Sequence, residues 1–179
     1  MRQPNDPQAL ITSLHWGPHA RMAFRPSKPS PATPSNASPT AQKNLATFDH
    51  LDFDSWNKKD YDLFAEIHAE DVRVVYPEGV ETHGYAEHEK WAKDFFAAFD
   101  STISEHPIRL ADGDWTSVVG EISITFARPL KMPDGKTIPP TKKTWKGRMC
   151  TVARWKDGRI AEEFLFWDNA ALQKGVGLA

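Results

Sequence analysis

The sequence contains almost no cysteine, with Cys150 alone among 179 residues. A single thiol excludes an intrachain disulfide and any zinc site built from several cysteines. Its neighbours Met149 and Thr151 belong to an alternating apolar run, so we expect a buried structural thiol rather than a nucleophile. A chain without disulfides suits a reducing compartment. We therefore expect a cytoplasmic protein.

Long apolar runs and a strong net charge are also missing. No stretch approaches the roughly 20 apolar residues of a membrane-spanning helix, which excludes an integral membrane protein. The chain has 22 Lys and Arg against 24 Asp and Glu, a formal charge of −2. It therefore lacks the field that draws proteins to nucleic acid or anionic lipid, and we expect neither partner. The sequence has no phosphate-binding loop, dinucleotide-binding fingerprint or nucleophile elbow. This argues against the usual nucleotidases, dehydrogenases and serine hydrolases.

Proline is concentrated at one end of the chain. Eight of the 14 prolines fall within the first 40 residues, many of them alternating with small polar residues. Such a segment buries too little apolar area to order itself. We interpret residues 1–40 as a flexible tail and residues 41–179 as one domain. Its basic, serine-containing start leaves an organellar targeting segment or a misassigned start codon as alternatives to a plain spacer.

The first part of the domain has the period of helices. Thr40 is a possible cap for a first helix whose apolar residues recur at helical spacing as far as Trp56. Asp60 caps a short second helix, and a stripe of apolar residues from Tyr85 to Phe99 predicts a third. Between the last two, the β-branched run from Val72 to Tyr76 predicts a strand.

After Asp100 the period changes to two, and turn pairs of Asp and Gly separate the segments. The predicted strands are Thr102–Leu110, Trp115–Ala127, Thr144–Lys156 and Arg159–Trp167. Helices first and strands later predict an α+β fold, in which a curved antiparallel sheet wraps around three helices. The chain contains seven Trp and ten Phe, and so many large rings rarely fill a small interior without a gap. We therefore expect a pocket between the helices and the sheet.

Two registers are open for the hairpin at Asp157-Gly158. A two-residue turn pairs Lys156 with Arg159 and places Gly147 opposite Asp168. A three-residue loop with a bulge instead places Lys146 opposite Asp168. We favour the first, which gathers apolar side chains on one face of the sheet: Trp145, Met149, Phe164 and Phe166.

Several motifs resemble those of one protein family over about residues 41–179. They are Asp52–Asn57, His68–Val72, Pro77–Gly79 with His83-Gly84, Pro139–Thr141, Trp155–Glu163, Phe166–Asp168 and Gly175–Leu178. Together they resemble the SnoaL-like polyketide cyclases, or ester cyclases, of the nuclear transport factor 2-like superfamily. The resemblance implies a cone-shaped fold, and it is weak for the reaction because the superfamily holds several chemistries and noncatalytic members.

For cyclases of this type, the resemblance implies intramolecular aldol ring closure of a polyketide ester without a cofactor. A carboxylate at the end of the last strand then acts as acid and base, and that position matches Asp168. Some relatives have a histidine at the position of Arg154, and this departure weakens the transfer of cyclase chemistry. The resemblance also implies a homodimer through the uncovered face of the sheet.

Asp168 is the predicted acid–base residue, because it follows an aromatic strand where burial would raise its pKa. An enolate formed by that carboxylate needs a donor on its other side, and His83, His106 and Tyr76 are the candidates. The structural alternative is that Asp168 caps the helix beginning at Asn169.

The predicted ligand is a small hydrophobic carbonyl or ester molecule, and the predicted activity is of the lyase or isomerase type. The residues expected to contact the ligand, besides Tyr76, are Trp56, Trp91, Phe96, Trp145 and Met149. We predict no metal and no organic cofactor, because His68 with Asp71, and His83 with Glu87 and His88, lack recognised ligand spacing. The alternative function is a noncatalytic ligand-binding or dimerisation domain of the same fold.

Overall fold

A computed structural model describes residues 37–132 and 134–179. Its elements are α1 (Pro39–His50), a π-helical segment (Leu51–Trp56), α2 (Tyr61–Ile67), β1 (His68–Val75), a short 3₁₀ helix (Pro77–Gly79), β2 (Glu81–His83), α3 (Tyr85–Ala98), β3 (Phe99–Asp112), β4 (Trp115–Phe126), β5 (Leu130–Lys131), β6 (Thr137–Ile138), β7 (Thr144–Lys156), β8 (Arg159–Phe166) and α4 (Asn169–Val176). None of the helices in these residues is long and apolar enough to span a bilayer.

Helix α1 begins within the segment predicted to be a tail. The other residues of that segment, 1–36, lie outside the described residues. The hydroxyl of Ser38 accepts a hydrogen bond from the Ala41 N–H, and Pro39 occupies the first helical turn, where its missing N–H has no consequence. The cap is therefore Ser38 rather than the predicted Thr40.

The main sheet has six strands in the order β2-β1-β8-β7-β4-β3. Neighbouring strands are antiparallel except β1 and β8, which pair in parallel because the chain between them supplies the long connection that a parallel pair needs. Strands β5 and β6 form a separate small hairpin. The predicted α+β class, with a curved sheet and three helices preceding its long strands, is confirmed. The sheet is mixed rather than wholly antiparallel as predicted, because β1 pairs with β8 in parallel.

The core lies between the helices and the inner face of the sheet. Leu45 and Phe48 of α1 are fully buried, as are Val72 and Val74 of β1 and Ile160 of β8. Burial of each large apolar side chain contributes about 1.5 to 3 kcal/mol, so this cluster is a major source of the stability of the domain. This packing fixes which face of each helix looks toward the sheet.

The hairpin between β7 and β8 has the predicted two-residue turn. Asp157 and Gly158 both have positive φ, 53° and 79°, as a type I′ turn requires. Lys156 pairs with Arg159, which confirms that part of the prediction.

A bulge then shifts the register of the same hairpin. Trp155 pairs with Ile160, but the next residue of β7, Arg154, pairs with Glu162, so that Ala161 is the extra residue on β8. A one-residue shift moves every later side chain of β8 to the opposite face of the sheet. Neither predicted register describes the rest of the hairpin.

The consequence is largest at the end of β8. Phe166 pairs with Cys150, and its side chain is 55% exposed on the outer face of the sheet. Phe164 lies on the same outer face. The predicted grouping of these two rings with Trp145 and Met149 is therefore wrong. Strand β8 ends at Phe166, so that Asp168 has no partner in the sheet.

The outer face of the sheet is partly apolar. Cys150 lies on this face and is half-buried, not fully buried as predicted, with its Sγ 3.7 Å from the Ser117 hydroxyl. The large apolar side chains that are exposed in the described part of the chain are Ile108, Leu110, Trp115 and Phe166. All four belong to β3, β4 or β8.

Candidate active site

A cavity of about 110 Å³ lies between the helices and the inner face of the sheet. One water needs ~10–15 Å³ by the same kind of measure, so the cavity accommodates a small molecule rather than an isolated water. Its aromatic wall consists of Trp56, Phe64, Trp91, Phe95, Phe99, Trp145 and Trp167. Isoleucine, leucine, methionine and valine side chains from the sheet, α4 and the segments next to them complete the apolar lining.

A few polar side chains interrupt this wall. They are Asp52, His88, Thr151, Glu163, Asn169 and Gln173. A mostly apolar cavity with a small number of convergent polar groups is typical of a small-molecule site, where the polar groups orient the ligand. Two of the six are carboxylates, and both belong to buried residues.

Asp52 lies in the π-helical segment that continues α1. Its backbone carbonyl accepts the N–H of Asn57, five residues later, which is the hydrogen bond of a π-helix. Asp52 and Trp56 both line the cavity from this segment. Short π-helical insertions are frequent at functional sites because they redirect side chains without ending the helix.

The π-helical segment is fixed to strand β3 by side-chain hydrogen bonds. The Asn57 amide donates to the Ile103 carbonyl and accepts from the Ile103 N–H, both at 2.8 Å. The Trp56 indole N–H donates to the Ser101 hydroxyl at 3.1 Å. These contacts hold the aromatic wall and Asp52 at defined positions relative to the sheet.

A chain of charged groups runs from Asp52 toward the surface. The imidazole of His106 lies between two carboxylates, with Nε2 2.8 Å from Asp52 Oδ2 and Nδ1 2.8 Å from Asp49 Oδ1. Arg109 donates to the other oxygen of Asp49 at 2.6 Å. Phe53 stacks on the imidazole with ring centroids 4.4 Å apart. His106 is thus held from both of its nitrogens and from one ring face.

This environment changes both pKa values of the central pair. Burial raises the pKa of the Asp52 carboxyl, and the hydrogen bond and positive charge of His106 offset only part of that rise. Burial lowers the pKa of His106, but its hydrogen bonds with Asp49 and Asp52 outweigh burial and raise that pKa to about 9. The pKa of Asp52 is therefore shifted upward, the direction that suits a carboxyl group for proton transfer.

A second polar cluster comes from three separate elements. His68 begins β1, His88 lies on α3, and Glu163 lies on the inner face of β8, where it pairs with Val74 of β1. The Nε2 atoms of His68 and His88 lie 3.6 and 3.7 Å from Glu163 Oε2. Burial keeps the pKa of His88 well below its usual value, with the nearby His68 adding to the effect.

Four of the predicted contact residues line the cavity: Trp56, Trp91, Trp145 and Met149. Their contact with a ligand stays a prediction. Phe96 does not line the cavity; it is buried behind Trp56, with ring centroids 4.5 Å apart.

Trp145 reaches the cavity because two glycines leave room for its indole. A Cβ at Gly147 would lie 2.0 Å from the Trp145 ring, and a Cβ at Gly175 would lie 2.7 Å from it. The indole therefore packs between the backbone of β7 and the backbone of α4, and any larger residue at Gly147 must displace it.

The position predicted for Asp168 is wrong. The residue is exposed and forms the N-cap of α4, where its carboxylate accepts the Ala171 N–H at 2.9 Å. Because β8 ends two residues earlier, the chain has already turned toward the helix at this point. Asp168 thus has the structural role of a helix cap, which was the alternative to a catalytic role. It is not buried, and the predicted role in proton transfer depended on burial.

The predicted donors also lie outside the cavity lining. His83 is exposed at the end of β2, with its Nε2 3.5 Å from Glu81 Oε2, so its predicted pocket position is wrong. Tyr76 is buried behind the lining: its phenol oxygen lies 2.7 Å from His88 Nδ1, and its ring stacks on Trp91 with centroids 4.2 Å apart. His106 is next to the cavity and contacts it through Asp52.

Sequence reasoning missed Asp52 and the His68, His88 and Glu163 cluster as site residues. Asp52 belongs to one of the motifs that carry the family resemblance, and this was the available signal. Neighbouring strand residues face opposite sides of a sheet, so Glu163 faces the cavity while the adjacent Glu162 pairs with Arg154, 2.9 Å from its Nε. Nothing in the spacing of the cluster members along the chain signals that they meet.

The model of the SnoaL-like domain matches residues 52–163, more than half of the chain. The chain belongs to the SnoaL-like family. This confirms the family resemblance described above. The matched range begins at Asp52 and ends at Glu163, so it includes both carboxylates of the cavity. No curated protein matches the chain.

Solved structures similar to this SnoaL-like chain agree on its fold. A protein from Jannaschia sp. CCS1, named a SnoaL-like polyketide cyclase, is 17% identical, with a TM-score of 0.67 over 82% of this chain and 99% of that one. An NTF2-like protein from Burkholderia xenovorans LB400 is 16% identical, with a TM-score of 0.60 over 76% and 97%. An LEH-like epoxide hydrolase from M. tuberculosis is 12% identical, with a TM-score of 0.62 over 78% and 93%. At these identities the likeness shows the fold alone.

Proposed function

We propose that this SnoaL-like protein is an enzyme of the isomerase or cyclase type that moves a proton on a small hydrophobic carbonyl or ester compound. Asp52 is its acid–base residue, and no organic cofactor is needed. One observation carries the proposal: Asp52 lines an apolar cavity and is hydrogen-bonded at 2.8 Å to His106, which Asp49 holds from its other side.

The proposed step begins with Asp52 as a carboxylate. It takes a proton from the carbon beside the substrate carbonyl, and the electron pair of that C–H bond moves to form an enolate. In an isomerisation the proton returns to a different carbon. In an aldol cyclisation the enolate carbon attacks a second carbonyl of the same molecule, and the alkoxide that forms takes the proton back from Asp52. A base with a pKa near the working pH performs both the removal and the return.

The enolate oxygen needs a hydrogen-bond donor in the cavity. The Thr151 hydroxyl is the neutral donor that we assign to this role, because it lines the cavity from β7 and belongs to a buried residue. His106 is a positioning residue, since it contacts Asp52 and not the cavity itself. Its hydrogen bond orients the carboxylate and stabilises its charged form.

The test is exchange of deuterium from solvent into a panel of small hydrophobic ketones and β-keto esters, followed by NMR. We expect exchange by the natural chain and a loss of at least 100-fold in Asp52→Asn, in line with the contribution of a general base. Asp168→Asn is the matched control, because it makes the same chemical change at an exposed helix cap and should retain full exchange. Equal exchange by both variants and the natural chain would contradict the proposal.

The apolar character of the cavity wall favours one alternative, a noncatalytic domain that binds a small apolar molecule. In that case a compound from the panel binds tightly, and the natural chain catalyses no exchange on it. Fluorescence of the cavity tryptophans measures binding independently of turnover, because four of them line the wall. Tight binding without exchange would replace the enzymatic proposal by this one.

A further inference from the structure

His68, His88 and Glu163 form a cluster that the proposed proton transfer does not use. Their side chains are 0%, 4% and 6% exposed. Each offers one ligand atom, and these atoms lie within 4.8 Å of one another. His88 and Glu163 also line the cavity, so the cluster opens on the space that a ligand would occupy.

The Nδ1 atom of each histidine, on the side away from Glu163, has a polar partner. His68 Nδ1 lies 2.8 Å from the Phe64 carbonyl, which accepts only, so Nδ1 carries the hydrogen and a neutral ring has its lone pair on Nε2. His88 Nδ1 lies 2.7 Å from the Tyr76 hydroxyl. Metal-binding histidines usually have their second nitrogen fixed by a carbonyl or another polar group in this way.

The inward nitrogens have no hydrogen-bond partner. His68 Nε2 and His88 Nε2 are both fully buried and unpaired in the described residues, although each faces the Glu163 carboxylate. Their distances to it, 3.6 and 3.7 Å, are too long for hydrogen bonds. A buried polar atom without a partner costs about 1–3 kcal/mol, so two beside one carboxylate call for a bound group.

We propose that His68 Nε2, His88 Nε2 and the Glu163 carboxylate bind one divalent transition-metal ion whose remaining coordination positions open on the cavity. Two imidazoles and one carboxylate suit zinc or iron(II), whereas magnesium and calcium prefer oxygen ligands. Ligand atoms about 2.1 Å from a tetrahedral ion are about 3.4 Å apart, so the two measured separations need to close by only a few tenths of an ångström.

This site can be tested separately from the proposed function. An ion at this position would face the same cavity as Asp52 and could attract the oxygen of a bound ligand. Asp52 needs no ion to accept a proton, however, and the cluster needs no substrate to bind an ion. Binding of the metal and proton transfer by Asp52 are therefore separate measurements.

The test uses the untagged full chain stripped with a chelator and titrated with Zn²⁺ by calorimetry, and with Co²⁺, whose visible absorption reports its ligands. We expect one equivalent of either ion, with affinity reduced at least tenfold in Glu163→Gln and in His88→Gln. Glu162→Gln is the matched control, because that side chain pairs with Arg154 on the outer face and should leave affinity unchanged. His83→Gln removes an exposed imidazole as a second control.

Buried variants can fail to fold, so circular dichroism is recorded for each of them. Tyr76→Phe keeps the ring and removes only the hydroxyl behind His88; we expect about a tenfold loss of zinc affinity from it. Zinc should also raise the melting temperature of the natural chain and not that of Glu163→Gln. Absence of stoichiometric binding, or binding unchanged in folded Glu163→Gln and Tyr76→Phe, would overturn the proposal.

Discussion

Nε2 of His106, on strand β3, lies 2.8 Å from Oδ2 of Asp52, in the π-helical segment. The pair joins two elements that are 54 residues apart along the chain. Asp49 and Arg109 extend the contact toward the surface, so each carboxylate has a cationic neighbour. The position and the protonation of Asp52 therefore depend on a residue that does not itself line the cavity.

The His106 pair makes stability depend on pH. The pKa of His106 is about 9 in the folded chain and about 6.5 when unfolded, so its stabilisation is full below pH 6.5 and is lost as pH rises toward 9. At 1.36 kcal/mol per pKa unit this amounts to about 3 kcal/mol at most. Urea unfolding of the natural chain should show this fall between pH about 6 and about 9.5.

His106→Gln should remove that fall, whereas His50→Gln, at an exposed position on α1, should keep it. Deuterium exchange by His106→Gln should decrease and its pH profile should shift, because the variant changes the environment of Asp52. A natural chain whose unfolding free energy stays constant across this pH range would contradict the assignment.

Gly147→Ala should damage the cavity wall. The new Cβ would lie 2.0 Å from the Trp145 ring, so the indole must move, at a cost of about 1–3 kcal/mol in unfolding free energy. Thermal unfolding and quenching of tryptophan fluorescence by a bound ligand measure the two effects. In a Trp145→Leu background the same substitution should cost much less, and equal costs in both backgrounds would show that the ring is not the cause.

Asp168 should behave as a helix cap. Asp168→Ala removes the acceptor of the Ala171 N–H and should lower the unfolding free energy by about 1 kcal/mol. Asp168→Asn keeps an acceptor at this position and should cost little. Both variants should bind a cavity ligand with the affinity of the natural chain. A large loss of affinity in either variant would show that Asp168 contributes to the site.

The outer face of the sheet should form a homodimer interface. Leu110 and Phe166 are 52% and 55% exposed on this face, and clusters of exposed apolar side chains often mark contacts between subunits. Leu110→Lys should shift the natural chain toward monomer in analytical ultracentrifugation. Ala97→Lys, on the exposed side of α3, is the control and should leave the mass unchanged. A monomeric natural chain would contradict the prediction.

Some features follow from local sequence because their cause is local. Helix α3 repeats apolar residues at helical spacing, β3, β4, β7 and β8 alternate with period two, and Asp157-Gly158 supplies the positive φ values of a tight turn. These patterns, with the family motifs, determined the α+β fold and its order of elements. They also placed four aromatic or methionine side chains along the cavity wall.

The side chains of β8 that face the cavity could not be predicted from the sequence in the same way. A single bulged residue, Ala161, reverses the faces of β8, so Glu163 points inward and Phe166 outward. The free energy lost at one bulge is small compared with the free energy gained by burying the apolar face of a whole strand. The position of the bulge therefore depends on packing across the sheet and not on local sequence. Glu163 and Phe166 therefore have the opposite environments from those that simple counting along β8 predicts.

The sequence by itself determined the family, the order of helices and strands, and an apolar interior rich in rings. Only the tertiary structure decided which polar groups meet there. Asp52 meets His106, and His68 and His88 meet Glu163, across 54, 95 and 75 residues of chain. Periodicity records which side of its own element a residue occupies, whereas contacts between distant elements depend on how the helices and the sheet pack together.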